Sequence, residues 1–242
     1  MFSPVVESFW QSQFLAETAV FDSERLSVHI KPELEEARRL VLLKRAEGKL
    51  MVALKPALAQ QVGLLSQAQN LTPESLRLML RAAGIALHGA DHVFHFSEAA
   101  LAALLAEPQA AHIRPLSAAD EKLFADFLSQ SSEQDLDDAW VELDHWAVFG
   151  AFDAQGQLMC AASMYPWDGA PIADIGVLTL PAFRGQGQAR RVVRAICRHA
   201  AQAGYQTQYR CQLDNAASIA LAQAAGLSLY GNWDVIAQDA DA

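Results

Sequence analysis

The stretch Thr179-Leu180-Pro181-Ala182-Phe183-Arg184-Gly185-Gln186-Gly187-Gln188-Ala189 decides the reading of this chain. Before it, Pro171 to Leu180 is nearly continuous in apolar residues, the pattern of a strand buried on both faces. Pro181 stops that strand. After the glycines, Val192, Val193, Ile196 and Ala200 recur at helical spacing. This predicts a helix from about Gly187 to Ala203, with arginines on its other faces and Gly204 at its end. Two glycines at such a junction let the backbone bend sharply and let an anion approach without a Cβ in the way. The N–H groups of the helix N-terminus then point at that anion. The field there is worth roughly 0.3–1 kcal/mol per favourable charge, and Arg184 or Arg190 would add charge-assisted bonds. A dinucleotide fingerprint needs Gly or Ala where Arg190 stands, and a P-loop needs a Lys-Ser or Lys-Thr pair that is absent here. The outline is that of a diphosphate site.

Outward from the loop the texture stays regular. Tyr205 to Gln212 reads as another strand, Asp214 or Asn215 caps a helix through Ala225 closed by Gly226, and Leu227 to Ala237 supplies a last strand. Upstream, His112 to Leu116 is a short strand, and Ser117 with Asp120 caps a helix holding Leu123, Phe124 and Phe127. His145 to Phe152 and Gln157 to Tyr165 flank the turn Asp153-Ala154-Gln155-Gly156 as paired strands. The texture changes near residue 110, giving two expected domains, 1–110 and 111–242. In the first, Val41 to Lys44 and Leu50 to Leu54 predict a hairpin around Glu47-Gly48. Thr72 and Pro73 start a helix ending at Gly84, His88 to Phe96 is a strand, and Ser97-Glu98 opens an Ala/Leu helix. This smaller α+β domain carries no assignable motif.

Arg184-x-x-Gly187-x-Ala189, directly after Thr179-x-Pro181-x-Phe183, resembles the acyl-CoA loop of the GNAT superfamily of CoA-dependent N-acyltransferases. Asn215-x-x-Ser218 and Ala222-x-x-x-Gly226-Leu227 resemble elements of the branch that includes glycine N-acyltransferase-like domains. The resemblance covers about residues 111–238. It implies an α/β fold with a mixed, mostly antiparallel central sheet flanked by helices. It also implies acetyl-CoA or another acyl-CoA as co-substrate, with the acyl group passed directly to an amine. By matching positions, the backbone of Leu178, Thr179 and Leu180 would pair with the pantetheine arm. The N–H groups of Gly185, Gln186, Gly187, Gln188 and Ala189 would hold the pyrophosphate beside Arg184 and Arg190. Asn215 would bond the pantetheine or a nearby backbone group with Ser218 beside it, although a plain helix cap explains Asn215 equally. Many members carry a Tyr acid where Ala222 stands here. That departure leaves the acid to Tyr230, Tyr165, Cys211 or water, and it leaves open an acyl-CoA sensor that does not turn over its ligand.

An alkylamine near pKa 10 must lose a proton before it attacks a thioester. Asp174 is the one acid on the buried strand, where a carboxylate is costly unless paired or functional, so it is a candidate base or acceptor-site residue. Glu142, Asp144 and His145, at the entry to a strand, are the next candidates, against the plainer reading of a solvated strand entry. Trp140, Trp146 and Trp167 would wall an acceptor pocket or simply pack in the core.

The net charge of −10 argues against nucleic acid as a partner. Charge is nonetheless segregated. No acidic residue falls between Ile175 and Leu213, where Arg184, Arg190, Arg191, Arg194, Arg198 and Arg210 do, while Glu133, Asp135, Asp137, Asp138, Glu142 and Asp144 cluster without a base among them. The basic island invites an anion and the acidic run a cationic small molecule or basic peptide end, unless each is a solvated face. Cys160, Cys197 and Cys211 form no CxxC pair, which argues for a reducing compartment. His88, His92 and His95 alternate as a strand does, and no metal site is expected. Apolar runs too short for a bilayer and the early Glu7 lead to the expectation of a cytoplasmic protein without membrane contact, with a homodimer admitted.

Overall fold

The computed structural model describes residues 1–16, 19–108, 110 and 112–237, with the side chains of residues 67 and 68 outside the described set. The elements in chain order begin with helix α1 (Pro4–Phe14) and strands β1 (Ala19–Asp22), β2 (Leu26–Ile30), β3 (Leu40–Arg45) and β4 (Leu50–Leu54). Helices α2 (Pro56–Gln61) and α3 (Pro73–Ala82), strand β5 (Asp91–His95) and helix α4 (Glu98–Ala106) follow. Next come β6 (Ile113–Pro115), α5 (Glu121–Leu128), α6 (Glu133–Ala139), β7 (Ala147–Phe152), β8 (Leu158–Pro166) and β9 (Ile172–Thr179). The chain closes with α7 (Gln188–Gln202), β10 (Gln206–Gln212), α8 (Ala216–Ala225) and β11 (Ser228–Val235).

These elements fall into two compact units, neither continuous in sequence. One holds Met1–Val6, Phe94–Arg210 and Ala216–Ser228; the other holds Glu7–Val93, Cys211–Asn215 and Leu229–Ala242. The boundary expected near residue 110 falls beside residues 109 and 111, which lie outside the described set.

In the second unit the strands run in the order β1-β2-β4-β3-β11. The hairpin read around Gly48 is there, with Leu43 opposite Met51, and β11 joins its far side with Trp233 opposite Leu43. Leu26, Val28, Leu42, Val52 and Leu54 turn one face inward against Leu58, Leu64, Leu76 and Leu80 of the helices. Thr72 and Ser75 form a reciprocal capping box at the start of α3, with Pro73 in its first turn.

In the first unit β6, β7, β8 and β9 are successively antiparallel, and β10 joins β9 in parallel. The alternation of side chains across the sheet assigns its two faces. Ala161 and Leu178 enter a cluster with Phe124, Phe127, Leu136 and Val141, so that face carries α5 and α6. Phe149, whose ring lies 5.4 Å from His199 of α7, faces the other way. α7 buries Val192, Val193, Ile196, Cys197 and Ala200 completely on that side, each large apolar side chain worth about 1.5–3 kcal/mol. The result is a mixed, mostly antiparallel sheet flanked by helices. No helix among the described residues is long and apolar enough to cross a membrane.

Candidate functional site

The junction of β9 and α7 is one 3-10 turn, Pro181–Phe183, followed by Gly185 and Gly187 at φ 74° and 75°. Gly187 occupies the N-cap position of α7 in the left-handed region, where an L side chain is strained. A Cβ at either glycine would meet nothing within 4 Å. Conformation, not crowding, therefore demands glycine, and the space above the loop is open. The N–H of Arg184 is spent on Pro181 O at 3.3 Å, whereas those of Gly185, Gln186 and Gly187 donate to no group among the described residues. The first turn of α7 adds N–H groups that no helical carbonyl can reach.

Charge around this cradle is divided. The Arg184 side chain turns back, with Nε donating to Thr179 O at 3.1 Å and its terminal nitrogen pairing with Asp135 at 2.8 Å. Asp135 is held below the usual carboxylate range first by Ser132 and then by Arg184. Arg190 and Arg191 are exposed and line a 440 Å³ cleft with Gly187, Arg194 and Phe149. Arg194 is bound to Glu107 and Ala225 O, and Arg198 to Leu104 O, so those two arginines tie the unit together.

The sheet opens beside the loop. β10 pairs with β9 only over Gln206–Gln208 and Ile172–Asp174, although β9 runs on to Thr179. The Leu180 N–H turns to Met159 O of β8 at 3.1 Å. Alternation along the strand then presents the peptide groups of Val177 and Thr179 to the side away from β8. Thr179 O is taken by Arg184, and Leu178 and Leu180 are buried in the core.

Where the opening begins, Asp174 is 4% exposed and fully engaged. It accepts from Tyr165 Oη at 2.9 Å, Gln208 Nε2 at 3.1 Å and the Arg210 guanidinium at 2.7 Å. Burial and then the Asp174 charge hold the Tyr165 phenol well above its ordinary range, so it stays protonated and donates. Aromatic rings surround it. Trp140 lies 4.6 Å and Trp167 6.3 Å from Tyr165, with Arg210 stacked 4.2 Å over Trp167. Trp146 is elsewhere, against Tyr205 at 4.6 Å and His199.

Glu142 and His145 join the same cluster and Asp144 is exposed beside them. His145 Nδ1 is 2.8 Å from Ser163 Oγ, and Glu142 accepts from Trp140 Nε1 at 3.0 Å. Tyr230 has partners of its own. It is buried in the other unit, its hydroxyl between Arg45 and Glu7. Asn215 immediately precedes α8, its N–H donating to Gln212 O at 3.1 Å, and Ser218 lies in the first turn of that helix. Ala222 is fully buried on α8. Burial pushes the Cys160 and Cys197 thiols up to about 12 and Cys211 to about 11. His95 bonds Thr207 O and His92 bonds Asn232.

Ser163 and Gln208 go unmarked in the sequence, and Arg210 figures there only as one arginine of the basic island. Ser163 is hidden in the apolar run of β8. Gln208 and Arg210 alternate onto one face of β10, but only the parallel register with β9 shows that this face meets Asp174.

Residues 116–227 match the Acetyltransferase (GNAT) family. These residues are a GNAT acetyltransferase domain. The match is to the family as a whole and singles out no glycine N-acyltransferase-like branch. GNAT acetyltransferases take acetyl-CoA as co-substrate together with an acceptor. The chain is similar in fold to a GNAT-family acetyltransferase from Colwellia psychrerythraea at TM-score 0.52 and 18% identity, covering 80% of this chain and 79% of that one. A GCN5-related N-acetyltransferase from Kribbella flavida aligns at TM-score 0.45 and 14% identity, over 68% of this chain and 64% of that one. A conserved protein of unknown function from Staphylococcus epidermidis aligns at TM-score 0.45 and 15% identity, over 93% and 96%. No curated protein matches the chain.

Proposed function

We propose that the GNAT domain moves an acetyl group from acetyl-CoA to the nitrogen of a cationic amine, a small molecule or a peptide end. One observation carries this reading: the unpaired edge of β9 runs straight into a loop whose Gly185, Gln186 and Gly187 N–H groups have no acceptor among the described residues. A pyrophosphate fits those donors, with Gln188 and Ala189 at the helix terminus adding theirs and Arg190 adding charge. An extended amide-bearing arm fits the open edge between Ile175 and Thr179, as an added strand would. Asn215 and Ser218 complete the proposed cofactor contacts.

Bound acetyl-CoA supplies an activated acyl group; the chain supplies placement and a proton acceptor. Trp140 and Trp167 offer ring faces, and the carboxylates of Glu142 and Asp144 favour an ammonium over a neutral or anionic acceptor. Asp174 holds Arg210 and Tyr165 in this wall. The Tyr230 hydroxyl is engaged by Arg45 and Glu7, so on this reading the leaving thiol takes its proton from the amine.

Isothermal calorimetry with acetyl-CoA tests the reading, and no heat of binding at millimolar ligand overturns it. Gly187→Val, which puts a branched side chain into the open space above the loop, is expected to weaken binding at least tenfold with the circular dichroism spectrum retained. An unchanged affinity removes the loop assignment. Amine-dependent thiol release separates a transferase from an acyl-CoA sensor, which would bind saturably and show only background hydrolysis.

A further inference from the structure

The cluster beside the sheet opening contains more order than an exposed acid needs. Glu142 is half exposed, yet both of its oxygens have a ring nitrogen beside them: Oε1 accepts from Trp140 Nε1 at 3.0 Å, and Oε2 lies 3.4 Å from His145 Nε2. Behind them Ser163 is completely buried, accepts the Glu142 N–H at 3.3 Å and meets His145 Nδ1 at 2.8 Å. Ser163 Oγ and His145 Nδ1 share one hydrogen bond, and Nε2 on the far side of the ring faces Glu142 Oε2. Trp140 holds its place at φ 41°, ψ 54°, a left-handed conformation that is costly for a bulky residue and that the end of α6 imposes.

Position matters as much as order. Ser163 is the cross-strand neighbour of Gly176, two residues beyond the last residue of β9 that pairs with β10. An arm running back along the open edge from Thr179 reaches Ile175 after about 13 Å. Its acyl end is thereby carried to the strand position that Ser163 faces. The other acids are poorer proton acceptors. Asp174 is buried and accepts three side chains, and protonating it would leave Arg210 without its partner. Asp144 is exposed, and no side chain holds it among the described residues. The Tyr230 hydroxyl is taken up by Arg45 and Glu7.

Resting on the acetyl-transfer reading above, we propose that Glu142 is the catalytic base of this domain, with His145, Ser163 and Trp140 as positioning residues. The acceptor ammonium gives one proton to the Glu142 carboxylate. The freed nitrogen lone pair forms a bond to the acyl carbon as the carbon–sulfur bond breaks. One of the two remaining nitrogen protons leaves with sulfur as the thiol, and the amide nitrogen keeps the other. The charged or titratable groups around Glu142 are His145 and Asp144 of its own loop, Tyr165 of β8, Asp174 of β9 and Arg210 of β10.

The test is thiol-release kinetics with acetyl-CoA and a panel of an alkylamine, a diamine, an amino acid and a peptide N-terminus, beside calorimetry of acetyl-CoA binding. For Glu142→Gln, kcat at pH 7 is expected to fall at least a hundredfold while acetyl-CoA affinity stays within twofold. The deficit should shrink as pH approaches about 10, where an alkylamine arrives already deprotonated. A wild-type kcat in Glu142→Gln, or a deficit independent of pH, overturns the assignment of the base. His145→Gln keeps an N–H donor and is expected to retain more activity than His145→Ala; equal losses overturn the positioning role. A wild-type protein that binds acetyl-CoA and releases no thiol with any amine of the panel overturns the transfer reading and the base with it. Binding by the variants shows that the fold persists.

Discussion

Gly176 is fixed by what lies over it. A Cβ there would sit 2.1 Å from Ala139 O and 2.9 Å from Trp140 O, both backbone atoms at the end of α6 that cannot swing aside. Gly176→Ala is therefore expected to cost about 1–3 kcal/mol, read from the midpoint of a denaturant melt, because relief requires the helix end to move. Gly150 makes the contrast. Its Cβ would meet Leu158 Cδ1 at 2.5 Å and the Leu116 methyls at 3.2 Å and 3.3 Å, far ends of side chains that can rotate, so Gly150→Ala should cost less. Equal losses at the two positions would mean that the end of α6 is not held rigidly against β9. The same contact explains why Trp140, one residue beyond the helix, has so little freedom in where its indole points.

The start of α5 depends on charge as well as on hydrogen bonding. Ser117 Oγ accepts from Ala119 N, Asp120 accepts the Ser117 N–H at 3.0 Å, and Arg114 grips Asp120 at 2.6 Å and 3.1 Å. The Arg114 guanidinium, with help from Ser117, holds Asp120 below its ordinary value of 3.8. A carboxylate depressed in the folded state stabilises above its unfolded pKa, and that contribution is lost as pH falls through the folded value. Stability is thus expected to fall in this element below about pH 4, and Asp120→Asn should flatten that acid limb in urea melts while lowering stability at neutral pH by about 1 kcal/mol. Ser117 and Asp120 are legible in the sequence because a capping box is a local code. α6 is not, since Leu136 and Ala139 are too few to make a helical stripe among Glu133, Asp135, Asp137 and Asp138, and the segment reads as charge alone. β2 goes unread as well: Leu26, Val28 and Ile30 alternate with Ser27 and His29, but both polar residues are buried with them. The loop between β9 and α7 could be placed because strand, glycines and helix are contiguous. Glu142, His145 and Asp174 stand out singly in the sequence, but their meeting does not, because α6, the β7 entry, β8, β9 and β10 come together only through register.

At the scale of the molecule, the pairing that no local pattern reports is β11 with β3, where Gly231 to Val235 lie against Val41 to Arg45. Residues 111–242 expressed alone would leave β11 without that partner and α7 without Leu104 O and Glu107, which bind Arg198 and Arg194. Such a fragment is expected to lose near-ultraviolet dichroism and bind an apolar dye, and a cooperative melt at the temperature of the full chain would show that the missing pairings are dispensable. The unfinished edge of β9 has a further consequence. A ligand seated there would make hydrogen bonds that belong at once to its own binding and to the sheet, so occupancy and folding become two readings of one equilibrium. At a hundredfold excess over its dissociation constant, such a ligand would add about 2.7 kcal/mol to the stability of the native state.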